Sequence, residues 1–176
     1  MLSIRLADKA DLTAVTALYH EVSDAMIGMP FDCCWRVGVH PSDELIERFV
    51  RDGSMLVALD DQEIVAAVGL DHDLGKEYGE FPWLVKADED EVAVVHILTT
   101  RPGWRGRGVS RELLRASLDE ARRRGMKTAR LDVTVNNAPA IAFYRSEGFV
   151  RIGCQAQEIG PDDDPFVVLD VMELPL

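Results

Sequence analysis

With 176 residues, 47% of them hydrophobic, the chain is long enough to bury a core without disulfides, and we interpret residues 1–176 as a single domain. Its formal net charge of −12 disfavours nucleic acid as a partner, because phosphate backbones are bound by clustered lysines and arginines. Its apolar runs are too short for a membrane span. The spacing of its cysteines and histidines predicts neither disulfides nor a metal site. The expected absence of disulfides favours a protein of the reducing cytoplasm.

The first part of the chain contains two predicted helices and a strand pair. Apolar residues recur at three- and four-residue spacing over residues 8–26, which predicts an amphipathic helix. A second, shorter helix is expected between the polar residues 41–44 and the glycine turn at 52–53. Residues 55–59 and 64–70 then form a predicted antiparallel hairpin.

A long polar segment, residues 71–91, separates this hairpin from a predicted central strand. The segment is too long to be a simple connector in a compact domain, and loops of this kind often line functional sites. Residues 92–99 are almost continuously apolar, which is typical of a strand covered on both faces. His96 is the polar interruption of that strand.

The rest of the chain alternates between helices and strands. Its pattern predicts two helices: one begins at 109 and is stopped by Gly125, and the other runs from about 137 to 147 and is ended by Gly148. Three strands are predicted over 129–135, 149–155 and 166–174. The last two strands flank a turn-rich segment at 160–165. This order of elements predicts a mixed α/β sheet with helices against its faces.

Charge is unevenly distributed along the chain. Residues 101–130 carry ten basic and three acidic side chains, whereas residues 71–91 carry eight acids and two lysines. A solvated face is the ordinary explanation of a charge run. Opposite signs in neighbouring segments also suggest two ligands of opposite charge.

A glycine-rich turn at residues 105–110 joins the predicted central strand to the basic helix. Gly106 and Gly108 lack the side chains that would keep a phosphate from the backbone, and the free N–H groups of the first helical turn then point at it. The spacing fits neither the G-x-x-x-x-G-K-[ST] of nucleotide-triphosphate loops nor the G-x-G-x-x-G of dinucleotide folds. The sequence therefore predicts an anion cradle for another diphosphate, with a turn that binds no ligand as the alternative.

Two motifs in this region resemble the GNAT superfamily of acyl-CoA-dependent N-acetyltransferases. The stretch from Arg105 to Ser110 resembles the signature [RQ]-x-x-G-x-[GA], with Ser110 in place of the final glycine or alanine. Residues 137–149 resemble the family's N-x-x-A-x-x-x-Y-x-x-x-G-F run. The resemblance extends over about residues 90 to 155.

The resemblance implies a fold and a cofactor. The fold is α/β (α+β): a mixed, mostly antiparallel central sheet of about six to seven strands, flanked by about four helices and splayed between the strands at 92–100 and 129–135. The cofactor is acetyl-CoA (coenzyme A), with its pyrophosphate in the cradle and its pantetheine arm between the splayed strands. The implied cofactor-binding residues are Leu98, Thr99, Thr100, Arg105, Gly106, Arg107, Gly108, Val109, Ser110, Asn137 and Tyr144. Homodimers are common in the family, so a homodimer is also expected.

The resemblance also implies catalytic roles. Tyr144 would lie by the thioester sulfur and protonate the departing thiolate, which suits a phenol with a pKa of about 10. Many family members place a glutamate base on the central strand, but the aligned residue here is Val94. His96 lies on the same strand face, and an imidazole titrates near about 6.5, so His96 is the first candidate base. Glu91 and Asp73 are the alternatives, and a packed core residue is the alternative for both Tyr144 and His96.

The acidic segment 71–91 contains aromatic residues that, together with its charge, suit a cationic acceptor. The predicted acceptor-side residues are Trp35, His40, Asp73, Tyr78 and Trp83. A solubilising acidic loop is the alternative. The predicted activity is transfer of an acetyl group from acetyl-CoA to a primary amine, on a small molecule or a peptide, by direct attack. A non-catalytic acyl-CoA-binding module is the second hypothesis, because the strand glutamate is missing and Ser110 departs from the motif.

Overall fold

The computed structural model describes residues 2–75, 78, 81–158 and 166–176. Its strands are β1 Leu2–Leu6, β2 Met55–Asp60, β3 Glu63–Asp71, β4 Val92–Thr100, β5 Thr128–Thr134, β6 Val150–Glu158 and β7 Phe166–Pro175. Its helices are α1 Leu12–Met26, α2 Asp43–Arg51, α3 Val109–Arg123 and α4 Ala138–Ser146. The strands form a seven-stranded sheet in the order β1-β2-β3-β4-β5-β7-β6. Only the β4–β5 pair in that sheet is parallel, which confirms the predicted mixed, mostly antiparallel fold.

Strand β1 is the element that the sequence pattern does not predict. It pairs antiparallel with β2, and its side chains are half-buried or exposed. An edge strand that buries so few side chains shows only a weak alternation of apolar and polar residues in its sequence. Helix α1 also begins later than predicted, because Asp8 caps a short 3-10 turn at Lys9–Asp11 before the helix starts. The turn predicted at 160–165 and four positions of the acidic segment, Lys76, Glu77, Gly79 and Glu80, lie outside the described residues.

The helices cover the two faces of the sheet in pairs. Helices α3 and α4 pack on one face, where Leu113, Leu114 and Tyr144 join the buried side chains of β4 and β5. Helices α1 and α2 pack on the other face, where Tyr19 and Phe49 are fully buried. No helix within the described ranges is long and apolar enough to cross a bilayer.

Strands β4 and β5 separate after a short paired stretch, as the family resemblance predicts. They pair only between Val92–Val94 and Thr128–Arg130. Beyond that point β4 contains a bulge, since Gly69 and Ala67 of β3 pair with His96 and Thr99 and leave one extra residue on β4. Ile97 in this bulge has φ of +46°, and the buried Tyr19 hydroxyl donates a 3.0 Å hydrogen bond to its carbonyl. The bulge leaves one edge of β4 facing an open cleft.

Candidate active site

The glycine-rich turn places five backbone amides at the mouth of this cleft. Gly106 and Gly108 have φ of +76° and +84°, in the left-handed region that glycine adopts most readily, and Gly108 is the N-cap of α3. No side chain caps the helix, and the amides of residues 106–110 have no hydrogen-bond acceptor among the described residues. The first bonded amide is that of Arg111, which donates to the Gly108 carbonyl. The turn therefore has the geometry of an anion site at a helix N-terminus.

The side chains of the turn differ in what they contact. Arg105 lines the cleft, whereas the Arg107 guanidinium lies 4.8 Å from the ring centroid of Trp104. Trp104 packs on the core and so anchors the turn. The Ser110 hydroxyl lies 2.7 Å from that of Thr100, at the end of β4. One hydroxyl of this pair donates to the other, so one hydroxyl hydrogen remains available to a ligand.

The cleft widens into a cavity of about 650 Å³ between β4 and β5. The predicted residues that line it are Trp35, His40, Tyr78, His96, Leu98, Thr99, Thr100, Arg105, Gly106, Ser110, Asn137 and Tyr144. The hydroxyl oxygen of Thr134, which also lines the cavity, is buried without a hydrogen-bond partner among the described residues. A buried polar atom of this kind suits the amides of a pantetheine arm.

Five predicted residues do not line the cavity: Arg107, Gly108, Val109, Asp73 and Trp83. The Val109 side chain is buried in the core, so its contribution to the cradle is its amide. The Trp83 ring lies 3.9 Å from the Arg130 guanidinium, and its indole N–H donates to the Tyr78 carbonyl. Asp73 is exposed and accepts from the Gly75 amide. Glu91, an alternative base, is also outside the cavity and pairs with Lys127.

Tyr144 presents a buried phenol to the cavity. The residue is only 8% exposed, and its ring contacts those of Phe143 and Phe149. Burial raises the pKa of the phenol above its ordinary value, and the charge of Asp132 adds to the effect. No hydrogen bond joins its hydroxyl to a described residue. At neutral pH the Tyr144 phenol therefore keeps its proton.

His96 is held by a carboxylate. Its Nε2 lies 2.7 Å from Oδ1 of Asp71, whose other oxygen accepts a 3.2 Å bond from Arg48. Burial alone would raise the pKa of Asp71, but the hydrogen bond and charge of His96, with help from Arg48, lower it. An ionised carboxylate only accepts, so the Nε2–H of His96 donates this hydrogen bond, and whenever the imidazole is neutral its lone pair is on Nδ1. The Asp71 carboxylate therefore fixes the orientation of the His96 ring.

The cavity and its cradle agree with the chain's similarity to known proteins. The model of the Acetyltransferase (GNAT) family matches residues 16–149. The chain belongs to this family. GNAT proteins use acetyl-CoA, and a candidate acetyltransferase of Salmonella typhimurium, yncA, was solved with acetyl-CoA as its cofactor. That structure shares the fold with a TM-score of 0.71 at 22% identity, over all of this chain and 94% of its own.

Two curated relatives of this GNAT protein align with it over very different shares of their own lengths. The L-methionine sulfoximine/L-methionine sulfone acetyltransferase of Salmonella typhimurium is 25% identical over 99% of this chain and 95% of its own length. Streptothricin acetyltransferase of Streptomyces lavendulae is 38% identical over 53% of this chain and 47% of its own length. This chain also spans only 30% and 16% of two further curated relatives.

Sequence reasoning about this GNAT chain missed two acidic residues of the site. Asp71 ends β3 and binds His96, and Asp132 of β5 lines the cavity with Tyr78 bound to it. Asp132 alternates with the apolar residues Leu131 and Val133 on β5, so the period of two places it on the opposite face of the sheet. That signal, combined with the splay implied by the resemblance, would have identified it. Asp71 had no such signal, because its partner is 25 residues away. Among the described residues, no three histidine, cysteine or acidic side chains group as metal ligands.

Proposed function

We propose that this GNAT protein transfers the acetyl group of acetyl-CoA to a primary amine by direct attack. The observation that supports the proposal best is the continuity of the site. Five amides without an acceptor among the described residues begin a cleft that also contains a buried phenol and a carboxylate-bound imidazole. The amides and Arg105 suit the pyrophosphate, and the backbone of Leu98 to Thr100 suits the pantetheine arm because β5 does not pair with it.

Each proton has a place in this proposal. His96 takes a proton from the acceptor ammonium, and the neutral nitrogen then forms a bond to the thioester carbonyl carbon. A backbone N–H near Leu98 or Thr99 stabilises the oxyanion. The carbon–sulfur bond then breaks, and Tyr144 protonates the leaving thiolate. The nitrogen gives its second proton to the Tyr144 phenolate, which restores the phenol. The products are an amide, a thiol and one proton, which His96 releases to solvent.

The test is release of free thiol when the protein, acetyl-CoA and a panel of primary amines are mixed, with mass spectrometry of the products. The wild type is expected to produce thiol and an N-acetylated amine in equal amounts. Tyr144→Phe is expected to lower kcat by about 100-fold, because it removes the acid, while the Kd of coenzyme A stays within about twofold. The control is Tyr19→Phe, which alters a buried phenol outside the cavity lining.

A non-catalytic binding module remains the second candidate, because Val94 stands where many family members have a glutamate. Tight acetyl-CoA binding in calorimetry without turnover on any amine of the panel would establish it and reject the enzyme. Residues 1–176 as one domain, a cytoplasmic location and a homodimer stay predictions. Sedimentation of the purified protein tests the last of these.

A further inference from the structure

Asp132 is a charged group of the cavity that the proposed proton transfers do not use. On β5 it alternates with Leu131 and Val133, whose side chains are buried in the core beneath α3 and α4. Its own side chain therefore lies on the opposite face of the sheet, which is the face of His96, Phe49 and helices α1 and α2. The residue is exposed, so its carboxylate is open to an incoming molecule.

Tyr78 orients this carboxylate. The Tyr78 hydroxyl donates a 2.7 Å hydrogen bond to Oδ2 of Asp132, and Tyr78 itself is only 3% exposed. Its ring stacks on Phe81, which in turn packs against Gly153, where a Cβ would lie 2.6 Å from the Phe81 ring. A buried, stacked donor on one oxygen leaves Oδ1 as the acceptor that a ligand can reach. An oriented acceptor of this kind suits an ammonium group.

Asp132 lines the same cavity as Tyr144 and His40. Its charge favours the protonated form of both side chains. A cation bound at Asp132 would therefore occupy the cavity that also contains the phenol proposed to protonate the leaving thiolate.

The surroundings of Asp132 suit an apolar molecule. The cavity is lined by Leu74 and by Val22, Met26, Phe31 and Leu45 of the core under α1 and α2, and we call this apolar part its acceptor end. The basic residues of its described lining are Arg105, His96 and His40. Arg105 belongs to the cradle, and His96 is bound to Asp71.

His40 does not supply a cation at neutral pH. The residue is exposed by surface area, yet loss of hydration at its ring lowers its pKa, and the charge of Asp132 offsets this only in part. A carboxylate beside the acceptor's amino group would then approach Asp132 with no basic partner in the described lining. Like charges in such a position disfavour binding.

We infer that Asp132, oriented by Tyr78, binds the ammonium of the acceptor, and that the acceptor is a cationic primary amine with an apolar body and no carboxylate next to the amino group. This inference deepens the proposed function and rests on it for the identity of the site. The inferred acceptor differs in chemistry from methionine sulfoximine and methionine sulfone, the two amino acids for which one relative is named.

The experiment compares acceptors that differ by one carboxylate, phenethylamine and phenylalanine, with methionine sulfone as a third. For the wild type, kcat/KM is expected to be at least about 100-fold higher for phenethylamine. Asp132→Asn is expected to raise the KM of phenethylamine about tenfold or more with kcat within about threefold, and Tyr78→Phe to raise it less. Asp119→Asn, an exposed acid of α3, is the matched control. Phenylalanine or methionine sulfone accepted as well as phenethylamine would overturn the inference, as would an Asp132→Asn variant that changes kcat alone.

A second measurement does not depend on turnover. N,N-dimethylphenethylamine is a cation that cannot form a stable amide, and its binding to the protein saturated with coenzyme A can be followed by calorimetry. The wild type is expected to bind it at least about tenfold more tightly than Asp132→Asn, with equal coenzyme A affinity and equal thermal unfolding for both proteins. That difference without any acetyl transfer would reject the proposed function and keep only the cation site at Asp132. Equal binding by the two proteins would reject the inference alone.

Discussion

His96 and Tyr144 show how the fold gives ordinary side chains different environments. Tyr144 is buried among aromatic rings, so burial raises its pKa, the charge of Asp132 adds to the effect, and the phenol keeps its proton. The His96 imidazole is half-buried, and a carboxylate determines which of its nitrogens carries the proton. Both residues stand in apolar stretches of sequence, where a packed core residue is the usual outcome. The cleft between β4 and β5 is what makes them accessible.

Replacing His96 by alanine is expected to lower kcat by about 100-fold, because the acceptor loses its base, while the Kd of acetyl-CoA stays within about twofold. Added imidazole is expected to restore part of the rate, which a purely structural defect would not allow. His72→Ala is the matched control, since His72 is the neighbour of Asp71 in sequence and its one hydrogen bond among the described residues is to the Val92 carbonyl. Steady-state thiol release measures all three proteins. A His96→Ala variant as active as His72→Ala would assign the base elsewhere.

Helix α3 has a left-handed glycine at each end, with different tasks. Gly108 at its start has φ of +84° and Gly125 just after its end has φ of +83°, and a Cβ at either position would meet nothing within 4 Å. The conformational cost of a side chain is therefore the same at both. Of these two glycines, only Gly108 belongs to the group of amides that have no hydrogen-bond acceptor among the described residues.

This symmetry allows the cradle to be tested with a matched pair of variants. Gly108→Ala and Gly125→Ala are each expected to lower the free energy of unfolding by about 1 kcal/mol, because alanine disfavours positive φ. Gly108→Ala is also expected to weaken coenzyme A binding by about tenfold or more, since the amides shift or the turn changes conformation. Urea unfolding and calorimetry measure the two effects. Equal loss of coenzyme A affinity in both variants would place the pyrophosphate elsewhere.

Across the whole molecule, ion pairing determines which charges remain for ligands. Eight of the ten basic residues between 101 and 130 pair with acids: Arg101, Arg111, Arg115, Arg122, Arg123, Arg124, Lys127 and Arg130. Within the part of the chain that is described, Arg105 and Arg107 are the two without such a partner. The basic run in the sequence is thus mostly structural, and its unpaired charges lie beside the cradle.

Glu147 is the ion-paired acid that ties α4 to α3, and it makes stability depend on pH. Its side chain is 4% exposed and binds Arg111 and Arg115 at 2.6 and 2.8 Å. Burial would raise its pKa, but the two arginines lower it. A lowered folded-state pKa gives stability that is present above the ordinary glutamate value of about 4.3 and is lost as pH falls through the folded-state pKa.

Glu147→Gln is therefore expected to lower the free energy of unfolding by about 1 kcal/mol at pH 7, the scale of an ion pair whose arginines stay open to solvent. The difference from the wild type should shrink as pH falls below about 4. Urea unfolding at pH 7, 5, 4 and 3 measures it, and Glu112→Gln, an exposed acid on α3, should change stability little at any of these pH values. A deficit of Glu147→Gln that stayed constant from pH 7 to pH 3 would contradict the linkage.

By itself, the sequence determined the order of the elements, the glycine turn and the positions of Tyr144 and His96, because hydrophobic period and turn chemistry are local properties of the chain. It did not determine strand β1, since an edge strand buries too little to show a period. The pairing of Asp71 with His96, the orientation of Asp132 by Tyr78 and the exclusion of Trp83 from the cavity were decided by the tertiary structure alone. Each of these contacts joins residues that are 25 or more positions apart in sequence or depends on which face of the sheet a segment covers. Local residue spacing encodes neither the distant partner nor the covered face.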